Sequence, residues 1–342
     1  MERIPVGVIG VGMVGTPTAR YFREVQGYER GRDLFLYDID PRKGFFDDVN
    51  RATVVFVCVP TPKAPDGRAN LAAVESAFQM LTPFEPERSS SQIGEDAGMG
   101  EVSSVFSNGV GRVVTGQAGQ KIVVIRSTVP PGTTEDFQKR YPGLKVLFNP
   151  ENLTERFAWE DFLRPDTQIV GFTGQSVEVA HLVLSLLPKA PFMSPWGLDT
   201  YQRIAITATE AEVIKYARNV HFARKVNFAN VLAALSEKLG ITYENVRRGM
   251  AADHRIGDSH LDVTHGGYRG FGGYCFPKDL DAFIAKLDDL GLAEHSALLK
   301  RDRQFNVELL AAQGLSLEDV SVHDHEWITK KLAQREDGRG TV

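Results

Sequence analysis

The sequence predicts an α/β protein in which a doubly wound parallel sheet is followed by an all-helical domain with one long central helix. Three observations predict it. Short apolar, β-branched runs alternate with helical segments in the N-terminal half, a glycine-rich turn follows the first run, and one helical stretch fills 208–239. A sheet covered by helices on both faces and a separate helical unit therefore follow from the pattern.

The strand prediction rests on six short runs that are nearly continuous in apolar residues. Strands with this composition, joined by long crossovers, are typical of parallel sheets buried on both faces. The predicted strands are Val6–Gly12, Leu34–Asp40, Val54–Pro60, Ile122–Thr128, Lys145–Pro150 and Thr167–Thr173.

The domain organisation follows from changes in composition along the chain. We predict a dinucleotide-binding domain at 1–200, a helical domain at 201–303 and a polar tail at 304–342 that frays. The Ser- and Gly-rich stretch 82–120 interrupts the first domain as an inserted flexible loop. The central helix is predicted at Ala208–Leu239, with Gly240 ending it.

Composition limits the classes of function. The 342 residues carry a net charge of −5 and a pI near 6.0 without basic clusters, so no nucleic-acid partner is expected. No apolar run reaches membrane-spanning length, and the start of the chain passes directly into the first strand, so we expect a cytoplasmic protein. Two cysteines exclude a disulfide framework, and neither they nor His323–Glu326 predict a metal site.

The turn GVGMVG after the first strand carries a G-x-G-x-x-G motif. Its glycines permit a tight turn and bring a pyrophosphate against a helix N-terminus, as in Rossmann-like domains. Asp38 ends the second strand about twenty residues later, where a carboxylate can accept hydrogen bonds from a ribose diol. The same carboxylate repels a 2′-phosphate, so NAD is favoured over NADP although Arg42 and Lys43 follow. The candidate cofactor contacts here are Gly10, Val11, Gly12, Met13, Val14, Gly15, Asp38 and Lys43.

Three later segments follow strands and reach the same edge of the sheet, where ligands bind in open α/β folds. Val59–Pro62 and Arg126–Thr133 supply hydroxyl groups on proline-bounded turns, which turn chemistry alone could also explain. Phe148–Glu155 supplies two carboxylates, Glu151 and Glu155, whose spacing of four also fits one face of a short helix.

The stretch GFGGYCFPKD (270–279) predicts a reactive thiol. Cys275 lies between glycines, which allow close approach of a ligand, and Lys278, which favours a thiolate. Lys215 and Asn219 are four residues apart on the long helix and project from one face, among neighbours typical of packing. A solvated lysine beside a satisfied asparagine is the alternative interpretation.

Together these motifs resemble the UDP-glucose/GDP-mannose dehydrogenase family of nucleotide-sugar 6-dehydrogenases. The matching pieces occur in family order: GVGMVG, VPTP, STVPPGT, NPENLTE with DFLRPDTQIVG, EAEVIKYARN, DHRIG and GFGGYCFPKD. The resemblance implies oxidation of a primary alcohol to a carboxylate in two NAD-dependent steps through a thiohemiacetal and a thioester on Cys275. It also implies a homodimer in which the long helix packs against its counterpart.

The resemblance assigns roles to individual positions. Lys215 stabilises a developing oxyanion, Asn219 holds substrate or water, and Asp279 positions or activates water. Glu151 and Thr128 assist proton transfer through water. The implied cofactor contacts also include Thr61, Thr128, Glu155 and Lys278, and the implied substrate contacts are Glu151, Glu155, Lys215, Asn219, Tyr268, Gly272 and Arg255, the last reaching across a subunit boundary.

The sequence departs from the family pattern in two respects. No strand–helix alternation follows Leu292, so we expect the C-terminal UDP-binding domain of the family to be missing. Asn152 and Arg156 stand where relatives favour an aromatic residue and a small residue, which would reshape the sugar pocket. Two alternatives stay open: a β-hydroxyacid dehydrogenase with a single hydride transfer, for which Cys275 has no use, and a non-catalytic NAD-binding protein.

Overall fold

The structure is a computed structural model, and it describes residues 3–83, 120–195, 205–323 and 326–327. The predicted inserted loop lies outside the described residues except at its two ends. In the N-terminal part the elements are β1 Val6–Ile9, α1 Gly15–Arg20 with a π-helical turn Tyr21–Val25, β2 Leu34–Tyr37, β3 Val54–Val57, α2 Ala72–Gln79, β4 Lys121–Ile125, α3 Thr133–Arg140, β5 Leu144–Phe148, α4 Ala158–Leu163, β6 Thr167–Ile169, β7 Gly171–Phe172, α5 Val177–Leu186 and β8 Phe192–Ser194. The C-terminal part holds α6 Ala208–Leu239, α7 Tyr243–Ala251, α8 Phe276–Asp289, α9 Ala293–Ala311 and α10 Leu317–Val320.

The main sheet confirms the predicted parallel architecture. Its strand order is β2-β1-β3-β4-β5-β7, and the first five strands are parallel. The predicted strand Thr167–Thr173 is divided, because β6 pairs with β8 while β7 pairs antiparallel with β5. The division occurs at Val170, whose N–H donates to the carbonyl of Ser194. Strand β8 was not predicted.

Buried side chains on alternate strand positions supply two cores, one on each face of the sheet. On β3, Val55 and Val57 belong to the core with Phe78 and Phe137, whereas Phe56 belongs to the core with Phe22. Every residue of this strand is fully buried. The continuous apolar character of the strands therefore reflects burial on both faces.

Helix α6 has the predicted bounds. A capping box between Thr207 and Glu210 begins it, and Gly240 ends it with a φ of 66°. Near its start, the buried carboxylate of Glu212 accepts hydrogen bonds from the N–H of Gly132 (2.6 Å) and the N–H and hydroxyl of Thr134 (2.8 and 2.6 Å). These bonds connect α6 to the first turn of α3 at the edge of the sheet where ligands are expected.

The predicted polar tail is wrong as far as the described residues extend. The boundary at 303 and 304 lies inside α9, and Leu310, Leu317 and Val320 form a small buried cluster beyond it. The average composition of this stretch is polar and charged, and it does not reveal the few apolar residues that are spaced along it. These residues nevertheless pack together and bury one side of the segment. Residues 328–342, and the predicted boundary at 200 and 201, lie outside the described residues.

Within the described ranges, none of the helices combines the length and the apolar character that crossing a bilayer requires.

Candidate active site

A cavity of about 580 Å³ opens between the loop after β5, helix α6 and the glycine-rich loop before α8. This volume is in the range of small-molecule sites. Eight of the sequence-predicted site residues line it: Met13, Glu151, Glu155, Lys215, Asn219, Tyr268, Gly272 and Cys275. Because Met13 belongs to the glycine turn after β1, the turn and the cysteine loop face one space.

Lys215 and Glu151 form a buried ion pair in this cavity. The ammonium Nζ lies 2.7 Å from Glu151 Oε1 and 2.8 Å from the Glu151 carbonyl oxygen, and both residues are at most 5% exposed. Burial acts to raise the pKa of Glu151, but the charge and hydrogen bond of Lys215 outweigh it and hold the pKa below 4.5. Burial likewise acts to lower the pKa of Lys215, and the Glu151 carboxylate overcomes it, so the pKa lies above 10.5. Both groups are therefore charged at neutral pH.

Asp279 connects the two helices of the site. This fully buried carboxylate in the first turn of α8 accepts a hydrogen bond from Asn219 Nδ2 (2.5 Å) through one oxygen and from the Lys278 ammonium through the other. Asp279 and Lys278 are not among the residues that line the cavity, whereas Asn219 is. The Asp279 carboxylate therefore lies outside the cavity lining and, through this hydrogen bond, orients the Asn219 amide toward the cavity.

Cys275 occupies the N-cap position of α8 and lines the cavity. Burial, followed by the negative charge of Asp279, raises the pKa of its thiol to about 11, although Lys215 and Lys278 act in the opposite direction. The sequence-based expectation of a thiolate favoured by the nearby lysine is therefore wrong. Loss of water around the sulfur outweighs the lysine charges, because desolvation disfavours the charged form.

The glycine turn fits a dinucleotide. A Cβ built at Gly12 meets nothing within 4 Å, which leaves open space over the start of α1, whereas one at Gly15 would lie 1.9 Å from the carbonyl oxygen of Gly10. Asp38 Oδ2 accepts hydrogen bonds from the N–H of Val11 (2.7 Å) and from Lys43 Nζ (2.8 Å). An ionised carboxylate thus lies directly beside the turn, where the ribose of a bound dinucleotide would meet it.

Three further predicted residues, Thr61, Thr128 and Arg255, also lie outside the lining of the cavity. The hydroxyl of Thr61 donates to the carbonyl oxygen of Thr128 (2.8 Å), which joins the loops after β3 and β4, and neither threonine lines the cavity. Arg255 pairs with Asp253 and is largely exposed on the loop after α7, outside the cavity of its own chain. Among the described residues, no group of three or more His, Cys, Asp or Glu side chains could hold a metal ion.

Sequence reasoning missed several residues of the cavity. Arg218 lies half-buried between Lys215 and Asn219, donates to the Thr167 hydroxyl (3.2 Å), and forms no ion pair with any residue in the described ranges. His260 has a φ of 66° and stacks on Phe222 at 4.2 Å. Arg218 could have been found from its position one turn from Lys215, but no local sequence signal indicates the stacked histidine.

Comparison with known protein families shows to which family the chain is related. The central-domain model of the UDP-glucose/GDP-mannose dehydrogenase family matches residues 209–308, and the NAD-binding-domain model of the same family matches residues 82–185. Together they match more than half of the chain. The chain belongs to the UDP-glucose/GDP-mannose dehydrogenase family. The resemblance inferred from the motifs is thereby confirmed, and with it the Rossmann-like fold and NAD as the family's cofactor.

Curated members of the family are similar over most of this chain. A UDP-glucose 6-dehydrogenase of Rhizobium meliloti is 30% identical over 80% of this chain and 57% of its own length. A UDP-glucose 6-dehydrogenase of Pseudomonas aeruginosa is 31% identical over 83% of this chain and 61% of its own length. A solved UDP-glucose dehydrogenase of Pyrobaculum islandicum has a TM-score of 0.64 at 27% identity and covers 91% of this chain and 71% of its own. The chain thus spans less than two thirds of the curated members that it matches here.

Proposed function

We propose that the chain is an NAD-dependent nucleotide-sugar 6-dehydrogenase, similar to UDP-glucose 6-dehydrogenase, that oxidises a primary alcohol to a carboxylate in two hydride transfers. One observation carries the proposal: Cys275, the Lys215–Glu151 ion pair and the Asn219 amide line the same cavity as Met13 of the glycine turn. A thiol nucleophile, a buried ammonium and a dinucleotide turn in one space supply the parts of an oxidation with covalent capture.

In the proposed reaction the residues of the site act one after another. NAD supplies the hydride acceptor for both oxidation steps. The Lys215 ammonium stabilises the oxygen of the substrate as the alcohol loses a proton and a hydride, while Glu151 and Thr128 assist transfer of the proton through water. The Cys275 sulfur then adds to the aldehyde carbon, with its proton going to the oxygen, and a thiohemiacetal forms.

The second half of the reaction takes place on the cysteine. The thiohemiacetal loses a second hydride and a proton, which leaves a thioester on Cys275. Water held by Asn219 and oriented through Asp279 attacks the thioester carbon, the carbon–sulfur bond breaks, and the carboxylate and the thiol are released. Covalent attachment keeps the aldehyde in the cavity between the two oxidations.

The surrounding side chains support a nucleotide sugar as the substrate. Arg218 brings a half-buried guanidinium to the cavity, where it donates to the uncharged Thr167 hydroxyl and forms no direct ion pair with a described carboxylate, which suits an anionic oxygen of a diphosphate. In the proposal Glu155 lies between cofactor and substrate, and Tyr268 and Gly272 contact the sugar. Lys278, which does not line the cavity, acts from behind through its ion pair with Asp279. Arg255 reaches the site of a second subunit.

The experiment that tests the proposal counts NADH at 340 nm for each substrate molecule consumed, across a panel of UDP- and GDP-sugars. Two NADH per substrate are expected, because both oxidations occur before the product leaves. One NADH per substrate would favour the β-hydroxyacid dehydrogenase alternative. Tight NAD binding without turnover on any sugar would favour a non-catalytic NAD-binding protein.

We further propose a homodimer formed through α6. Four apolar side chains are about half exposed or more along this helix at spacings of three and four, which places them on one face: Phe228, Val231, Leu235 and Leu239. A stripe of this kind on a long helix is typical of a helix–helix interface, because monomeric proteins seldom leave a contiguous apolar surface exposed to water.

The variant Phe228→Glu/Leu235→Glu is expected to convert the dimer to a monomer, because it places two charges in the apolar interface. Light scattering at micromolar concentration measures the change. Val177→Glu is the matched control, since Val177 is equally exposed on α5, and it should leave the dimer intact. A wild-type monomer under these conditions would contradict the proposal.

A further inference from the structure

The C-terminal segment, residues 316–323 with 326–327, packs against the loop that precedes Cys275. The carbonyl oxygen of Val320 accepts a hydrogen bond from the N–H of Gly273 (2.7 Å), and the indole N–H of Trp327 donates to the carbonyl oxygen of Gly266 (2.9 Å). A Cβ at Gly272 would lie 2.6 Å from the Val320 carbonyl oxygen, so the glycine is needed for this contact. Hydrogen bonds thus join the segment to the loop at two places, Val320 and Trp327.

His323 of this segment touches two residues of the candidate site. Its Nδ1 lies 3.1 Å from Glu155 Oε1, and its ring stacks on Tyr274 with centroids 4.6 Å apart and planes inclined by 16°. Tyr274 directly precedes Cys275, and Glu155 lines the cavity. One imidazole therefore connects the loop after β5 to the loop that carries the thiol.

The segment bounds the cavity and does not fill it. Val320, Val322 and Trp327 line the cavity, which keeps a volume of about 580 Å³ with the segment in place. The central-domain match to the family ends at residue 308, so these residues lie beyond the part of the chain that it covers.

We propose that the C-terminal segment is a wall of the substrate pocket and that His323 is a positioning residue that holds Glu155 toward the bound substrate. The proposal rests on the proposed function, in which Glu155 lies between cofactor and substrate. Contact with an imidazole that is itself held by stacking on Tyr274 narrows the set of rotamers open to the glutamate side chain. The Glu155 carboxylate is then already in the position that the bound substrate requires, so less conformational entropy is lost on binding.

The test compares His323→Ala, His323→Gln and the control His295→Ala, a histidine exposed on α9. With the sugar nucleotide that the wild type oxidises, His323→Ala should raise KM about tenfold and change kcat less than twofold, because it removes one charge-assisted contact from binding. Glutamine can donate to Glu155 from a similar position, so His323→Gln should recover most of the affinity. The control should match the wild type.

A second measurement is independent of turnover. Alkylation of Cys275 by iodoacetamide reports the opening of the wall, and it should be several-fold faster in His323→Ala than in the wild type or in His295→Ala. Unchanged KM and alkylation in His323→Ala would overturn the proposal, as would a lower KM, which would make the segment an inhibitory plug. If no sugar nucleotide is oxidised, the proposed function fails, and the alkylation rates still decide whether the segment is a wall of the cavity.

Discussion

Replacing Cys275 with alanine should lower the rate at which the carboxylate forms by about a thousandfold or more, and it should leave at most one NADH for each substrate molecule consumed. The first hydride transfer needs no thiol, since it takes place on the alcohol. The second requires a tetrahedral carbon that carries an oxygen and the sulfur, and alanine cannot form it. Counting NADH against the remaining sugar nucleotide measures both effects in one experiment.

The pKa of Cys275 adds a pH dependence to the same prediction. Because burial and Asp279 raise the pKa of this thiol to about 11, Cys275 is mostly a protonated thiol at pH 7 to 8. The rate of alkylation by iodoacetamide should therefore rise steadily from pH 7 toward 11, as the thiolate fraction grows, and be absent in Cys275→Ala. An alkylation rate that is already constant above pH 8 would contradict the raised pKa.

Cys58 provides the matched control for the cysteine variant. This residue is buried in the core of the sheet, and burial raises the pKa of its thiol to about 12. Cys58→Ala should therefore retain two NADH per substrate, with only the modest loss of stability that follows removal of a small buried side chain. If Cys275→Ala also yielded two NADH, covalent capture would be excluded and the proposed mechanism would be wrong.

The fold was largely predictable because its signals are local and repeated. Runs of β-branched residues such as Val54–Val57 must be buried on both faces, and a helix with a capping box at Thr207 and a glycine at 240 has defined ends. The short strand β8 and the division of β6 from β7 carry no comparable signal. Their pairing depends on which backbone N–H and carbonyl groups remain available once the larger sheet has formed.

The site was predictable in its residue types but less so in its electrostatics. Lys215, Asn219 and Cys275 were found from motifs, and the structure brings all three to one cavity. The ion pair of Lys215 with Glu151 joins residues that are 64 positions apart, and the raised pKa of Cys275 depends on burial. Both follow from the packing of separate elements, which no local pattern encodes. The same reason explains why His323, predicted to lie in a frayed tail, was missed.

Replacing Lys215 with methionine should reduce turnover by about a hundredfold or more and lower the free energy of unfolding by about 3 kcal/mol. Methionine fills a similar volume but leaves the buried carboxylate and the carbonyl oxygen of Glu151 without their cation. Urea denaturation measures the loss of stability, and NADH formation measures the loss of activity. Lys225→Met is the control on the same helix: within the described part of the chain its ammonium bonds to the loop carbonyls of Ile256 and Gly257 and to no carboxylate, so the loss should stay below about 1 kcal/mol.

The double variant Lys215→Met/Glu151→Gln separates the two effects of the lysine. Removing the uncompensated charge should restore most of the stability, because the main cost in the single variant is a buried carboxylate without a partner. Activity should stay low in the double variant, since no ammonium remains to stabilise the oxyanion. Recovery of activity together with stability would show that Lys215 has only a structural role.

The pH dependence of stability gives an independent check of the ion pair. In the wild type the pKa of Glu151 is held below 4.5, so its contribution is present above pH 4.5 and is lost as the pH falls through the lowered pKa. The contribution of Lys215, whose pKa is raised above 10.5, is present below that pH and is lost only as the pH rises through the raised value. In Lys215→Met, burial of Glu151 is opposed only by the weaker effects of the Leu153 N–H and the Arg126 charge, so its pKa should rise, and the stability deficit of the variant should shrink as the pH falls from 7 to 5. A deficit that stays constant over this range would mean that Glu151 is not the residue that suffers from the loss of Lys215.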